Sequence, residues 1–179
     1  MDLREYQRLA MRTSPEGHDR VLNGCLGLIG ESGEVVDCVK KWKFQSGDDA
    51  PMPVEKLTDE LGDVMWYVSE TCVGLGLDIE ELVDDGMLLD GMVRDRVGLV
   101  EAAVRLSGLC HEPYDDRRRG VLQLEMQKIN LTRIVRNVRY ILEVYALTTL
   151  EEALRRNIEK LKKRYPNGFE AERSLHRAE

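Results

Sequence analysis

Long hydrophobic runs are missing from this sequence: no apolar stretch approaches the ~20 residues of a membrane span. Proline is scarce, with 5 in 179 residues, and is nearly absent from the long periodic stretches. Alternating β-branched runs are lacking too, so helices should dominate. The 4 cysteines (Cys25, Cys38, Cys72, Cys110) form no CxxC pair and have no histidine at zinc-ligand spacing. That excludes a disulfide scaffold and a zinc site, and reads as reduced thiols inside helices. Met1-Asp2-Leu3-Arg4-Glu5 lacks the basic-then-apolar layout of a signal peptide, so the expectation is a cytoplasmic protein without a membrane partner. Positive charge is in deficit: 26 Lys and Arg against 33 Asp and Glu give a net charge of −7. No nucleic-acid polymer is expected as partner, because phosphate contacts need clustered cations. The one basic run, Arg117-Arg118-Arg119, follows Asp115-Asp116 and reads as a solvated helix start. An acidic protein still binds a polyphosphate when metal ions supply the positive charge.

What is present is helical periodicity, and the predicted fold class is all-α. Leu3, Tyr6, Leu9 and Ala10 form a first amphipathic stripe that ends around Thr13-Ser14-Pro15. A long helix is predicted from about Asp19 to Phe44, and another from Pro53 to Gly74-Leu75-Gly76. Asp78-Ile79-Glu80-Glu81 has the form of an N-cap with an acid three residues on. Further helices are predicted over 79–91, 94–110, 119–146 and 150–164, with Pro166-Asn167-Gly168 ending the last.

A weak internal repeat accompanies them. Gly27-Leu28-Ile29 matches Gly98-Leu99-Val100 at an offset of 71, and Ile79-Glu80-Glu81 matches Leu150-Glu151-Glu152 at the same offset. Leu57-Thr58 and Val64 match Leu131-Thr132 and Val138 at 74. The expected organisation is a first repeat over 1–91 and a second over 92–179.

Glu31 and Glu34 stand at i, i+3, about 300° apart in helical angle and hence on one face. Glu60 and Asp63 repeat that spacing on the next long helix. With a short connection the two helices should pack antiparallel, so four carboxylates can converge across one groove. Without a cation they would raise each other's pKa. Carboxylate-only ligation suits Mg²⁺ or Mn²⁺. With acids at 33 of 179 positions, chance alone gives roughly six such pairs, so spacing by itself decides nothing. Glu81 and Asp84 are a decoy of this kind, explained by a solvated face. Apolar context separates the true candidates: Leu28, Ile29, Val35 and Val36 surround the first pair, and Leu57, Leu61, Val64 and Trp66 the second. Gly24, Gly27, Gly30 and Gly33 recur every three residues on the first helix, and Gly62 lies between the second acids. They imply close helix packing and a thin wall beside the acids that a phosphate-bearing ligand can approach.

The stretches Leu22–Val35 and Glu60–Tyr67, with the pattern ExxE, a spacer, then ExxD, resemble MazG-like nucleotide pyrophosphohydrolases. Asn157-Ile158-Glu159-Lys160-Leu161 and Arg164-Tyr165-Pro166-Asn167-Gly168-Phe169 resemble the C-terminal end of that family. The resemblance covers 1–82 and 149–177. It implies an all-α NTP pyrophosphatase bundle that uses Mg²⁺ (or Mn²⁺) to cleave a nucleoside triphosphate to monophosphate and pyrophosphate, a nucleotide-pool house-cleaning activity. Glu31, Glu34, Glu60 and Asp63 would be the metal and catalytic residues. The segment between is explained as a degenerate second copy. Ala102, Arg105, Ile134 and Asn137 stand where the acids would be, and Gly86 and Leu89 stand where Asn157 and Lys160 would be. Each half keeps what the other lacks, which implies an intrachain pseudo-dimer with one composite site, with a homo-oligomer as a further option. Lys41 shares the Glu34 face at i+7 and is a candidate phosphate contact. Asn157, Lys160 and Arg164 form a second polar face, and Trp66 and Tyr67 are candidate base-stacking residues, with Trp42 a weaker one. His18, His111 and His176 read as surface or structural. The alternatives are a related substrate such as dUTP, dCTP or a damaged nucleotide; a catalytically inactive nucleotide-binding or protein-interaction module; and a plain metal-binding bundle.

Overall fold

Each helix opens or closes on a local signal. Asp2 accepts the Glu5 N–H at 2.7 Å and starts α1 (Leu3–Ala10). Asp19 accepts the Leu22 N–H at 3.0 Å and starts α2 (Arg20–Gln45). α3 (Val54–Leu75) stops where Gly76 turns left-handed at φ +69°, the conformation that glycine adopts without penalty. α4 (Leu99–Arg118) and α5 (Leu124–Val144) follow, and Thr149 caps α6 (Leu150–Arg164) through the Glu152 N–H at 3.2 Å. Short 3-10 turns lie at Met11–Thr13 and Ile79–Leu82. These elements come from a computed structural model that describes residues 1–47, 49–82, 98–120 and 123–170. Among the described residues there are six α-helices and no strand, as the periodicity predicts.

Three helix predictions are corrected. The helix expected over 79–91 is a 3-10 turn in its described part, and residues 83–91 lie outside the described residues. The helix expected over 94–110 runs from Leu99 to Arg118, and 94–97 are again outside. The helix expected over 119–146 spans Leu124–Val144, because Gly120 turns at φ +69° and separates it from α4. The basic run therefore ends a helix and does not start one. Arg117 and Arg118 sit against the negative end of the α4 dipole, and Arg117 also reaches the α2 cap, 2.5 Å from Asp19 Oδ2.

α2 and α3 pack as one helical hairpin, α4 and α5 as a second, and α2 lies against α4. α6 packs on α3 and α5, and α1 closes over α3 and α6. A single apolar core runs through all of them, with Leu28 and Val35 of α2, Leu61 and Met65 of α3, Leu106 of α4, and Ile134 and Ile141 of α5 all fully buried. Each such side chain contributes about 1.5–3 kcal/mol relative to exposure. Gly24 and Gly27 let α3 approach closely: a Cβ at Gly27 would lie 2.0 Å from the Tyr67 ring, and one at Gly24 2.1 Å from Thr71 Oγ1. All four cysteines are free and buried, and burial pushes the Cys72 and Cys110 thiols up to about 12. Among the described residues no helix is long and apolar enough to cross a membrane.

Glu70 is the one fully buried charged side chain among the described residues, and helical spacing alone does not single it out. Its carboxylate accepts from Ser14 Oγ at 3.0 Å and Arg20 at 2.9 Å, and meets His18 Nε2 at 2.5 Å. This cluster ties the segment before α2 onto α3, so His18 is structural as expected. His111 contacts the Ser107 carbonyl, and His176 lies outside the described residues.

Candidate functional site

The hairpin α2–α3 brings the predicted acids to one open groove of about 870 Å³, whose far wall is α6. Glu31, Glu60 and Asp63 offer carboxylate oxygens all within 4.8 Å of one another. Glu34 lines the same groove and stands outside that trio. On α2 it is Glu31, and not Glu34, that meets the α3 pair, although the two acids share a face. Burial, then the neighbouring Asp63, raises the Glu60 pKa, with Lys160 and Lys56 opposing. Three partly buried carboxylates this close repel one another, and Lys160 and Lys56 offset part of that repulsion. The donor set is oxygen only, which fits a hard divalent ion such as Mg²⁺.

Asp63 is held from both sides. Asn157 Nδ2 donates to its Oδ1 at 2.7 Å, and Lys160 forms an ion pair with its Oδ2. Asn157 is itself fixed, because Tyr6 OH donates to Asn157 Oδ1 at 2.9 Å. Burial and then Asp63 raise the Tyr6 pKa well above its ordinary value, so the phenol keeps its proton and remains a donor. Gly62 leaves room for this contact, since a Cβ there would lie 3.1 Å from Asn157 Cβ. The pair Asn157 and Lys160 thus meets the second acid pair directly. Arg164, one turn on, lines the groove as well.

The remaining candidates divide. Trp66 and Tyr67 line the groove, edge to face at 4.8 Å. The Trp66 N–H is committed to Ala10 O at 3.2 Å and Thr13 Oγ1 at 3.0 Å. Lys41 is not brought to the groove wall: its Nζ lies 2.6 Å from Asp37, four residues earlier, which raises its pKa. Trp42 donates to Ala50 O at 3.1 Å and holds the loop after α2. Lys56 takes the place expected of Lys41 in the groove lining. It stands at i−4 from Glu60 and i−7 from Asp63, the same face rule that pointed to Lys41, and was legible. Asp59 also lines the groove and pairs with Arg156 at 3.1 Å, tying α3 to α6.

Of the glycines, Gly24 and Gly27 serve helix packing, whereas Gly30 lines the groove with open space where a side chain would stand. The groove therefore has a thin wall beside Glu31.

Residues 22–87 match the family model of the MazG nucleotide pyrophosphohydrolase domain. No curated protein and no solved structure matches the chain. The matched segment contains all four predicted acids, Trp66 and Tyr67, and leaves α6 outside.

Proposed function

We propose, for a chain that carries a MazG nucleotide pyrophosphohydrolase domain over residues 22–87, that it hydrolyses nucleoside triphosphates to monophosphate and pyrophosphate in a Mg²⁺-dependent reaction. The observation that carries this is the convergence of Glu31, Glu60 and Asp63 within 4.8 Å in a groove that also presents Lys56, Lys160 and Arg164. Bound there, a divalent cation supplies charge neutralisation for the phosphate chain and acidifies water. Glu31, Glu60 and Asp63 would hold it, with Glu34 as an outer carboxylate. Tyr6 and Asn157 orient Asp63 through its Oδ1, and its Oδ2, paired with Lys160, is the oxygen a cation would share. Lys160, Lys56 and Arg164 meet the negative charge that develops on leaving pyrophosphate, each without a proton transfer. House-cleaning of the cytoplasmic nucleotide pool fits such an activity.

The second hairpin belongs to the same proposal as a degenerate copy of the first. Arg117 at the end of α4 meets Asp19 at the start of α2, so these helices run antiparallel, as a twofold requires. The Cys110 thiol lies beside the Ser32 hydroxyl further along. Val35 and Leu106, equivalent at the repeat offset of 71, are both fully buried. α3 packs on α6 as α5 packs on the Ile79–Leu82 turn, the counterpart at the same offset. One chain then carries one active site, completed by its own C-terminal helix.

Release of pyrophosphate from the common NTPs and dNTPs, with and without Mg²⁺, tests the activity. No release from any of them with Mg²⁺ present would leave a nucleotide-binding or interaction module and defeat the proposal. Titration of a non-hydrolysable nucleotide with Mg²⁺ should give one site per chain, and two would defeat the pseudo-dimer alone.

A further inference from the structure

The groove lining is uneven in charge. Beside Glu60 and Asp63 its walls carry Lys56 and Lys160. Another part of its lining, on and beside the turn that follows α1, has no charged side chain of its own. Thr13 and Pro15 belong to that turn, Trp66 is hydrogen-bonded to Thr13, and Tyr67 lies edge to face on Trp66. Asn23 joins this part from α2: it stands one turn before Gly27, against which the Tyr67 ring is packed.

Polar groups in the uncharged part are mostly committed. Thr13 Oγ1 donates to Ala10 O at 2.7 Å and accepts from Trp66, which uses the indole N–H as well. The half-buried Asn23 carboxamide makes no hydrogen bond among the described residues, yet it lines the groove. A planar amide with one free donor and one free acceptor side by side is the complement of the donor–acceptor pairs on nucleobase edges. Its position fits as well. Asn23 precedes Glu31 by eight residues on the same helix, about 12 Å along the axis and about 80° around it, and both residues line the groove. That is comparable with the reach of a nucleotide from its α-phosphate to the far edge of its base.

We propose that the uncharged part of the groove takes the nucleobase of the substrate, and that Asn23 selects the base by hydrogen-bonding its edge. This rests on the nucleotide pyrophosphohydrolase reading above and adds the residue that decides among bases. The aromatic pair Trp66 and Tyr67 supplies a surface that every base satisfies, so discrimination falls to Asn23.

The test is kcat/KM for pyrophosphate release from the eight common NTPs and dNTPs, for wild type, Asn23→Ala and Asn23→Asp. Melting temperature and Mg²⁺ titration serve as folding controls. Wild type should separate the best base from the worst by about tenfold or more. Asn23→Ala should compress that spread to within about threefold. Asn23→Asp presents acceptors only, and the Watson–Crick edge of guanine presents adjacent donors at N1 and N2. The relative kcat/KM of guanine nucleotides should therefore rise about tenfold in that variant. If Asn23→Ala misfolds, the guanine shift in Asn23→Asp carries the decision alone. An unchanged base order in folded variants, a uniform loss across all eight nucleotides, or a shift confined to the ribose-to-deoxyribose ratio would overturn the inference. So would a wild-type enzyme indifferent to base. A wild type that hydrolyses no nucleotide instead defeats the earlier reading, a separate and distinguishable failure.

Discussion

The two helical hairpins present different side chains at the positions that the sequence repeat matches. In α2–α3 the groove face carries Glu31, Glu60 and Asp63, all partly exposed. At the positions matched by the repeat, α4–α5 carries Ala102, Ile134 and Asn137, all buried, with Arg105 turned to solvent. If the second hairpin is the degenerate copy proposed above, the face that is an open groove in the first is filled core in the second. Charge survives on such a face only where water or a cation reaches it, since an unpaired buried carboxylate is strongly unfavourable. On this comparison the second hairpin acts as the scaffold against which the first is held, and α6 supplies the groove wall that the first lacks.

The largest effect expected is on catalysis, and only in the first hairpin. Glu60→Gln keeps shape and loses the charge that would hold the metal. A loss of several kcal/mol of transition-state stabilisation corresponds to about 10³-fold in Mg²⁺-dependent turnover. Arg105→Ala, at the position matched to Glu34, should leave turnover within about twofold, since surface substitutions of this kind are close to neutral. Rates for the two variants measured side by side decide the point. Near wild-type turnover in Glu60→Gln would remove the carboxylate trio from the mechanism.

The next expectation reverses the comparison and concerns stability. Asn137→Asp writes the acid of the first hairpin into the second, where the side chain is fully buried and makes no hydrogen bond with the described protein groups. An uncompensated buried charge should destabilise the fold by about 3 kcal/mol or more. Denaturant titration of this variant beside Asp63→Asn, whose site is partly exposed, reads the difference. A stable Asn137→Asp that gained Mg²⁺ binding would mean that the second face can open.

Somewhat smaller is the effect of the ion itself. Mg²⁺ at one hundred times its dissociation constant should stabilise the native state by about 2.7 kcal/mol. Glu31→Ala removes one of the three converging carboxylates and should lose most of that gain. Equal thermal shifts in wild type and Glu31→Ala on adding millimolar Mg²⁺ would argue against a site formed before substrate arrives.

Legibility in the sequence followed the range of the interaction involved. The α2, α3 and α6 boundaries were legible because their signals are local: Asp19 and Thr149 as caps, Gly76 as a left-handed stop. The convergence of Glu31 with Glu60 and Asp63 was legible because helical spacing and a short connection fix it. Lys41 failed because face geometry says where a side chain begins and says nothing of a nearer partner, here Asp37. The direction of Arg117-Arg118-Arg119 failed for a related reason: a basic cluster suits a helix C-terminus, and its partner Asp19 is 98 residues away. The Tyr6–Asn157–Asp63 chain and the Glu70 cluster join segments far apart in sequence, and periodicity carries no information about either.

The smallest effect separates two buried asparagines that occupy opposite sides of the comparison. Asn157 is bonded at both ends of its amide, to Tyr6 and to Asp63, and stands beside the active groove. Asn137 is equally buried and neither of its amide atoms meets a protein partner. Removing a bonded buried amide leaves its partners unsatisfied, whereas removing an unbonded one relieves a desolvation penalty already present. Asn157→Leu should therefore destabilise the fold by about 1–3 kcal/mol, while Asn137→Leu, close in volume, should stabilise it by about 1 kcal/mol. Chemical denaturation at matched ionic strength measures both. Destabilisation of Asn137→Leu by a comparable amount would show that the amide is engaged by internal water. The second hairpin would then hold a hydrated polar group at the position matched to Asp63, and its interior there would be less apolar than its packing implies.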